Sequence, residues 1–361
     1  MRCAFAGILA LGLSATLACA PPASQPLQGH IELVLENLER EPCAGWSSHL
    51  EAHVERIFEF LGVPVPPDFR VPVYVEDDVP CNSYACYRYD TKAVYVPDLD
   101  IGNRRPTGVL RHELAHAVID RAWGVSVPFL QEGLAEAMAR TAAWPVLSEP
   151  TLPVGDMLDA TGLALDYQAA ARFVRFLIDT RGRAAFEQLF RATQERSQEA
   201  IRASIEAVYG EDFDSLESEF LASGPACQYQ LDLCDEESAE RLGTSWFEAL
   251  AASCLDPDFY GSDGADDPLL ATRRTLQLDE GGSYRLRLEG ELNVSPGGIP
   301  RFPQVALVRC GGCDQQFTRL FQPGEHELEL EAGLYALEIL PADTSVLTVA
   351  IDRVDAGESP P

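Results

Sequence analysis

His112-Glu113-Leu114-Ala115-His116 is the most chemically loaded run in the chain, and Glu132 follows sixteen residues after its second histidine. On an α-helix, positions i and i+4 lie one above the other on one face. His112 and His116 can therefore present imidazole nitrogens to a single ion, with Glu113 turned toward the place where an ion-bound water would sit. A hydrolytic Zn2+ needs three protein ligands and one open position, and Glu132 on a following helix is the natural third ligand. Such an ion brings the pKa of a bound water to about 7, and Glu113 is the group that can take its proton. The competing reading is an ordinary amphipathic helix carrying two unrelated histidines. Against it, the chain holds only six histidines and two of them fall here.

The flanking residues supply the elements this chemistry needs. Leu110, Leu114, Ala117 and Val118 form an apolar stripe at helical spacing, and Pro106-Thr107 is a helix-start signal with Thr107 as N-cap. The runs 71–75, 85–89 and 93–96 read as strands, which places a small sheet directly ahead of the helix. Helical patterns then dominate from 108 to 221, interrupted by a loop around Pro145, Pro150 and Pro153. Between residues 30 and 61 two further helical patterns occur, one around Ile31-Leu35-Leu38 and one over 49–61. His49 and His53 share the i,i+4 spacing but have no glutamate base between them, and they read as surface residues.

The segment 109–116 together with Pro128-Phe129-Leu130-Gln131-Glu132-Gly133-Leu134-Ala135-Glu136 resembles the gluzincin metallopeptidases, and most of all the bacterial peptidase MA-like domains. The resemblance implies Glu132 as third zinc ligand and Glu136, one turn later, as the carboxylate that buttresses a ligand histidine. Ligating histidines do usually donate their second N–H to a carboxylate. It extends to 166–177 and Arg181-Gly182, covers roughly residues 70 to 222, and offers Tyr167 as a donor to a developing oxyanion. A core-helix cap is the other reading of Tyr167. Phe129 stands where a tryptophan is common, and no Gly-Ala-Met-Glu-Asn segment is present, which argues against the aminopeptidase branch. Ile119 and Ala122 exclude the metzincin pattern.

The ends carry other signals. Arg2 and an apolar run from Ala4 to Ala18 read as a signal peptide. Cleavage after Ala20 would meet Pro21 at the scissile bond, so lipidation of Cys19 after cleavage at Ala18 is favoured, tethering the chain to a membrane surface. With Cys3 and Cys19 set aside, eight of the ten cysteines remain, an even set that reads as disulfides in an exported chain. Cys81/Cys86 and Cys310/Cys313 are the closest pairs, and Cys43 can tie to the segment after the catalytic domain. A formal charge of −30 with no basic stripe excludes nucleic acid as a partner.

Residues 225–258 read as a helical, cysteine-bearing connector, and 256–267 as an acidic loop marking a boundary. Six short alternating runs between 270 and 354 read as an antiparallel sandwich. Ala332-Gly333-Leu334-Tyr335 there resembles the turn of bacterial pre-peptidase C-terminal domains. The expected fold class is α+β: a signal peptide (1–18), a spacer (19–29), a zincin-like domain (30–225), the connector (226–267) and the sandwich (268–355). The expected activity is that of an exported zinc endopeptidase acting on peptide or protein, with residues from about 260 onward dispensable for zinc binding. The alternative is a non-catalytic surface lipoprotein whose sandwich does the binding.

Overall fold

A computed structural model describes residues 24–25, 29–35, 40–76, 78–81, 84–97, 108–139, 153–224, 226–234, 236–264, 269–290, 293–294, 300–311, 318–341 and 346–354. Cys19, Thr107 and Cys313, and with them the lipidation and N-cap expectations, lie outside these residues.

The elements of the first half are β1 (Ser24–Gln25), β2 (Ile31–Leu35), β3 (Arg40–Pro42), α1 (Trp46–Leu61), β4 (Val71–Val75), β5 (Cys86–Arg88) and β6 (Ala93–Val96). Helices α2 (Gly108–Ala122), α3 (Pro128–Met138), α4 (Tyr167–Arg181), α5 (Arg183–Ala192), α6 (Gln198–Tyr209) and α7 (Phe213–Leu221) follow. Strands β1, β2, β4, β6 and β5 lie in that order, parallel across β2–β4–β6 and antiparallel at both edges. In α1, Leu50, Val54, Ile57, Phe58 and Leu61 recur at helical spacing and are fully buried. Gly62 ends that helix with φ +72°, a left-handed conformation a β-carbon disfavours. In β4 alternate residues Val71, Val73 and Val75 are buried, so one face of the sheet meets α1 and α2 in a common core.

The second half is built of strands. They are β7 (Glu240–Arg241), β8 (Ser245–Ala251), β9 (Tyr260–Gly264), β10 (Leu269–Leu278), β11 (Gly282–Gly290), β12 (Asn293–Val294) and β13 (Pro300–Arg301), then β14 (Gln304–Arg309), β15 (Thr318–Phe321), β16 (Gly324–Leu330), β17 (Gly333–Leu340) and β18 (Val346–Arg353). One sheet runs β16-β11-β18-β8 and the other β15-β14-β17-β10-β9-β3, with β7 beside β10. Tyr284, Leu286, Leu347 and Val349 from the first share a core with Leu276, Tyr335, Leu337 and Val305 from the second. The class is α+β with an all-strand C-terminal region.

Three expectations are corrected. Ile31–Leu35 is a strand, paired in parallel with β4, because a five-residue aliphatic run fits a buried strand as well as a helix turn. The segment expected as a helical connector contains no helix among its described residues and supplies β7 and β8. The loop expected as a boundary contains β9, which pairs with β3 from the first half: Arg40 opposite Gly264 and Pro42 opposite Ser262.

The cysteines follow suit. Cys81 bonds Cys86 and Cys43 bonds Cys254, as the sequence allows, but Cys310 bonds Cys234 rather than its neighbour Cys313. Cys227 is also disulfide-bonded. Several disulfides place the protein in an oxidising, extracytoplasmic environment. No described helix is long and apolar enough to cross a membrane.

Candidate metal centre

Helix α2 is enclosed: Leu110, Leu114, Ala115, Ala117, Val118 and Ile119 are buried on several sides, which fixes the directions of the polar residues between them. Helix α3 begins with Pro128 in its first turn, where the missing N–H costs nothing. It then packs against α4 so closely that a Cβ on Gly133 would lie 2.8 Å from both the Ala170 carbonyl oxygen and Val174. The glycine after Glu132 is therefore what lets α3 approach α4. Asp166 caps α4, accepting from the N–H groups of Gln168 and Ala169, each at 3.0 Å, and this sets Tyr167 in the first turn.

The result brings the predicted ligands together. Nε2 of His112 and Nε2 of His116 are 3.1 Å apart, and Oε2 of Glu132 lies 3.1 and 2.9 Å from them. A tetrahedral ion with ligand bonds near 2.0–2.1 Å holds its ligand atoms about 3.3 Å apart. The observed triangle is that figure slightly contracted. Two imidazole nitrogens aimed at each other can share at most one proton, so a cation between them suits this donor set. Among the described residues this is the group of three that could hold a metal ion.

The surroundings are ordered. His112 Nδ1 is 3.1 Å from Oε2 of Glu136, the predicted buttress. His116 Nδ1 meets the Tyr89 hydroxyl at 3.4 Å and the Gln131 amide nitrogen at 3.5 Å. Glu113, 7% exposed, accepts a 2.7 Å hydrogen bond on Oε2 from the Tyr87 N–H of edge strand β5. Tyr167 meets His112 edge to face, with ring centroids 5.9 Å apart.

Burial opposes the charge of Glu132, yet His116 and His112 hold its carboxyl well below the usual range. Burial likewise disfavours protonated His112, but Glu132 and Glu136 outweigh it and raise the imidazole well above its usual value. Burial, then Glu132, pushes the Tyr167 hydroxyl up to about 12, so it stays protonated and able to donate.

On its other side α2 enters a second polar cluster. Arg111, 1% exposed, pairs with Asp232, one of whose bonds is 3.0 Å. Arg273 of β10 pairs with the same carboxylate at 3.3 Å, and Glu338 nearby accepts from the Tyr260 hydroxyl. His49 stacks on Tyr260 with centroids 3.7 Å apart, and its ring nitrogens face Arg273 at 2.7 Å and Arg111 at 3.3 Å. His53 lies 3.3 Å from the Arg111 carbonyl oxygen and 3.4 Å from Asp232. The reading of these two histidines as surface residues is thus overturned, since His53 is fully buried and His49 partly so. Burial and the two arginines lower the His49 pKa well below 6.5.

Sequence reasoning missed Tyr89, Gln131, Arg111, Asp232 and Gln228. Gln131 and Arg111 adjoin predicted ligands and were open to suspicion on that ground. The other three carry no spacing signal.

No protein-family model matches the chain, and no curated protein matches it. Among solved structures it is similar to the pre-peptidase C-terminal domain of a collagenase from Bacillus anthracis, at 17% identity over 32% of this chain and 91% of that one, with a TM-score of 0.19. It is also similar to a family 35 carbohydrate-binding module from Clostridium thermocellum, at 9% identity over 30% of this chain and 92% of that one, again with a TM-score of 0.19. Likenesses this slight assign neither fold nor activity, and the site's meaning rests on its own side chains.

Proposed function

We propose that the chain is a zinc-dependent metallopeptidase of gluzincin type, an endopeptidase acting on peptide or protein outside the cytoplasm, tethered at Cys19 by lipid. The observation that carries this reading is a buried carboxylate, Glu113, one residue along α2 from a His112–His116–Glu132 triangle of ion-binding dimensions. A purely structural metal site has no use for such a base. Two imidazoles and one carboxylate suit zinc in a catalytic rather than a closed structural site. When bound, the ion would supply a Lewis acid and a water of depressed pKa.

The remaining work falls to this chain's groups. Glu113, oriented by the Tyr87 N–H, takes a proton from the attacking water and returns it to the leaving amine. Tyr167, protonated at neutral pH, donates a hydrogen bond to the oxyanion that forms. Glu136 keeps His112 in the tautomer that leaves Nε2 free for the ion.

The test is Glu113→Gln with unfolded casein as substrate. The variant should bind zinc as the parent does and lose hydrolysis by about 10²–10⁴-fold, the usual worth of a general base. A fully active variant would refute the mechanism, and a parent inert across a broad peptide library would favour the non-catalytic alternative. Loss of zinc in His116→Ala checks the ligand assignment independently.

A further inference from the structure

The segment 227–234 crosses behind the metal centre, and its residues take turns gripping the two halves of the molecule. Cys227 is disulfide-bonded, and its carbonyl accepts from Arg175 of α4. The Gln228 amide donates to the Glu136 carbonyl at 2.7 Å and to Oε1 of the Glu136 carboxylate at 2.8 Å. Tyr229 donates its N–H to Ala137 at 2.7 Å, and its hydroxyl to Asp179 at 2.9 Å. Gln230 then turns to the sandwich, donating to the Arg309 carbonyl at 3.0 Å and accepting from the Gly311 N–H at 2.9 Å. Asp232 joins Arg111 of α2 to Arg273 of β10. Cys234 closes the run by its disulfide to Cys310.

Two of these contacts end one bond short of the ion site. Glu136 offers Oε2 to His112 Nδ1 and Oε1 to Gln228, so the amide sets the plane of the carboxylate that sets the plane of the imidazole. Arg111 directly precedes His112 on α2, and its partner Asp232 fixes the rotation of that helix about its axis. An amide donor leaves the Glu136 charge in place while restricting its rotation, which a water in the same position would not do.

Building on the metal site proposed above, we propose that this segment is a positioning strap: Gln228 acts through Glu136, and Asp232 through Arg111, to hold His112 in ligating geometry, while the sandwich holds the strap. Gln228 touches neither ligand nor substrate and is a positioning residue, with no part in proton transfer. The sandwich is then a working part of the metal centre.

The experiment measures zinc affinity by competition with a chromophoric chelator, on the full chain, alongside the melting temperature of the zinc-free protein. Gln228→Met keeps the side chain's bulk and removes both donated bonds. It should weaken zinc binding by up to about tenfold, the lower end of the range for groups that hydrogen-bond a ligand directly, with little change in melting temperature. In a Glu136→Ala background the same substitution should add nothing, because the residue it acts through is gone. Gln228→Asn, which retains the amide on a shorter arm, should recover part of the affinity and stands in if the methionine variant does not fold. Unchanged zinc affinity in Gln228→Met, or an undiminished loss without Glu136, would overturn the strap and leave the metal site standing. A parent that binds no zinc would overturn both.

Discussion

Two helical histidine pairs with the same i,i+4 spacing sit on neighbouring helices and end in opposite electrostatic settings. Around His112 and His116 the close partners are carboxylates, Glu132 and Glu136, and no described side chain brings a cation between the ring nitrogens. Around His49 and His53 the cations are already there: Arg273 and Arg111 face both nitrogens of His49, with Asp232 and Glu338 balancing their charge. The first cluster is short of positive charge and could hold a metal ion. The second is complete as it stands. Spacing alone therefore does not make a metal site; the sign of the groups that close the ring does.

That contrast can be broken at its strongest point by Asp232→Ala. It leaves Arg111 and Arg273 buried without their shared carboxylate, and removal of one partner from a buried ion pair costs about 3–5 kcal/mol. Urea unfolding should register the loss with zinc present or absent; a change under about 1 kcal/mol would mean the cluster is not the balanced unit described. Ending the chain near residue 260 should be as damaging, against the sequence-based expectation, because it removes Arg273, Glu338 and most of the strand that pairs with β3. A stable, zinc-binding fragment would restore the simpler two-module view.

Zinc itself sharpens the comparison next. At a concentration one hundred times its dissociation constant, it should stabilise the parent by about 2.7 kcal/mol. His112→Ala should abolish that increment and His49→Ala should retain it, whatever each does to the starting stability. An increment that depends equally on both pairs would erase the distinction.

The smallest effect is on acid sensitivity. His49 and His53 have folded pKa values below 6.5, chiefly through burial, so the unfolded chain takes up protons first as pH falls. Their contribution is flat above pH 6.5 and is lost as pH drops below it. Asp232 adds a second loss at lower pH, since its folded pKa lies well below 3.8 and its stabilisation disappears as pH falls from there. In zinc-free protein, His49→Phe should flatten the slope just below pH 6.5. An unchanged slope would assign the sensitivity elsewhere.

Much of the site was legible because its signals are local. The His-Glu-Leu-Ala-His run and Glu132 declare themselves by type and spacing within a few residues, and the structure brings the three candidate ligands together. The six sandwich strands expected after residue 270 are present because alternation of apolar residues survives wherever one face is buried. What escaped notice depends on distant partners. Gln228 reaches Glu136 across 92 positions, and a glutamine has no pattern that marks such a bond. Strand β8 escaped because Phe247 faces outward at 66% exposure, which blurs its alternation. Cys310 and Cys313 are near in sequence, but nearness says nothing about the geometry that lets Cys234 reach Cys310.

The seam between β3 and β9, locked by a disulfide joining cysteines 211 positions apart, also sets a timetable. The first half cannot acquire its last strand partner, or Arg111 its full set of charges, until the chain has been made past residue 273. At about 5–20 residues per second that is a wait of roughly tens of seconds, during which the ligand-bearing helix has an unfinished flank. Long-range closure of this kind is slow, and it favours assembly of the two halves together over completion of one before the other. The candidate metal centre thereby waits on residues well beyond its own, so that a chain interrupted before residue 260 carries His112, His116 and Glu132 and still lacks β9 and Arg273.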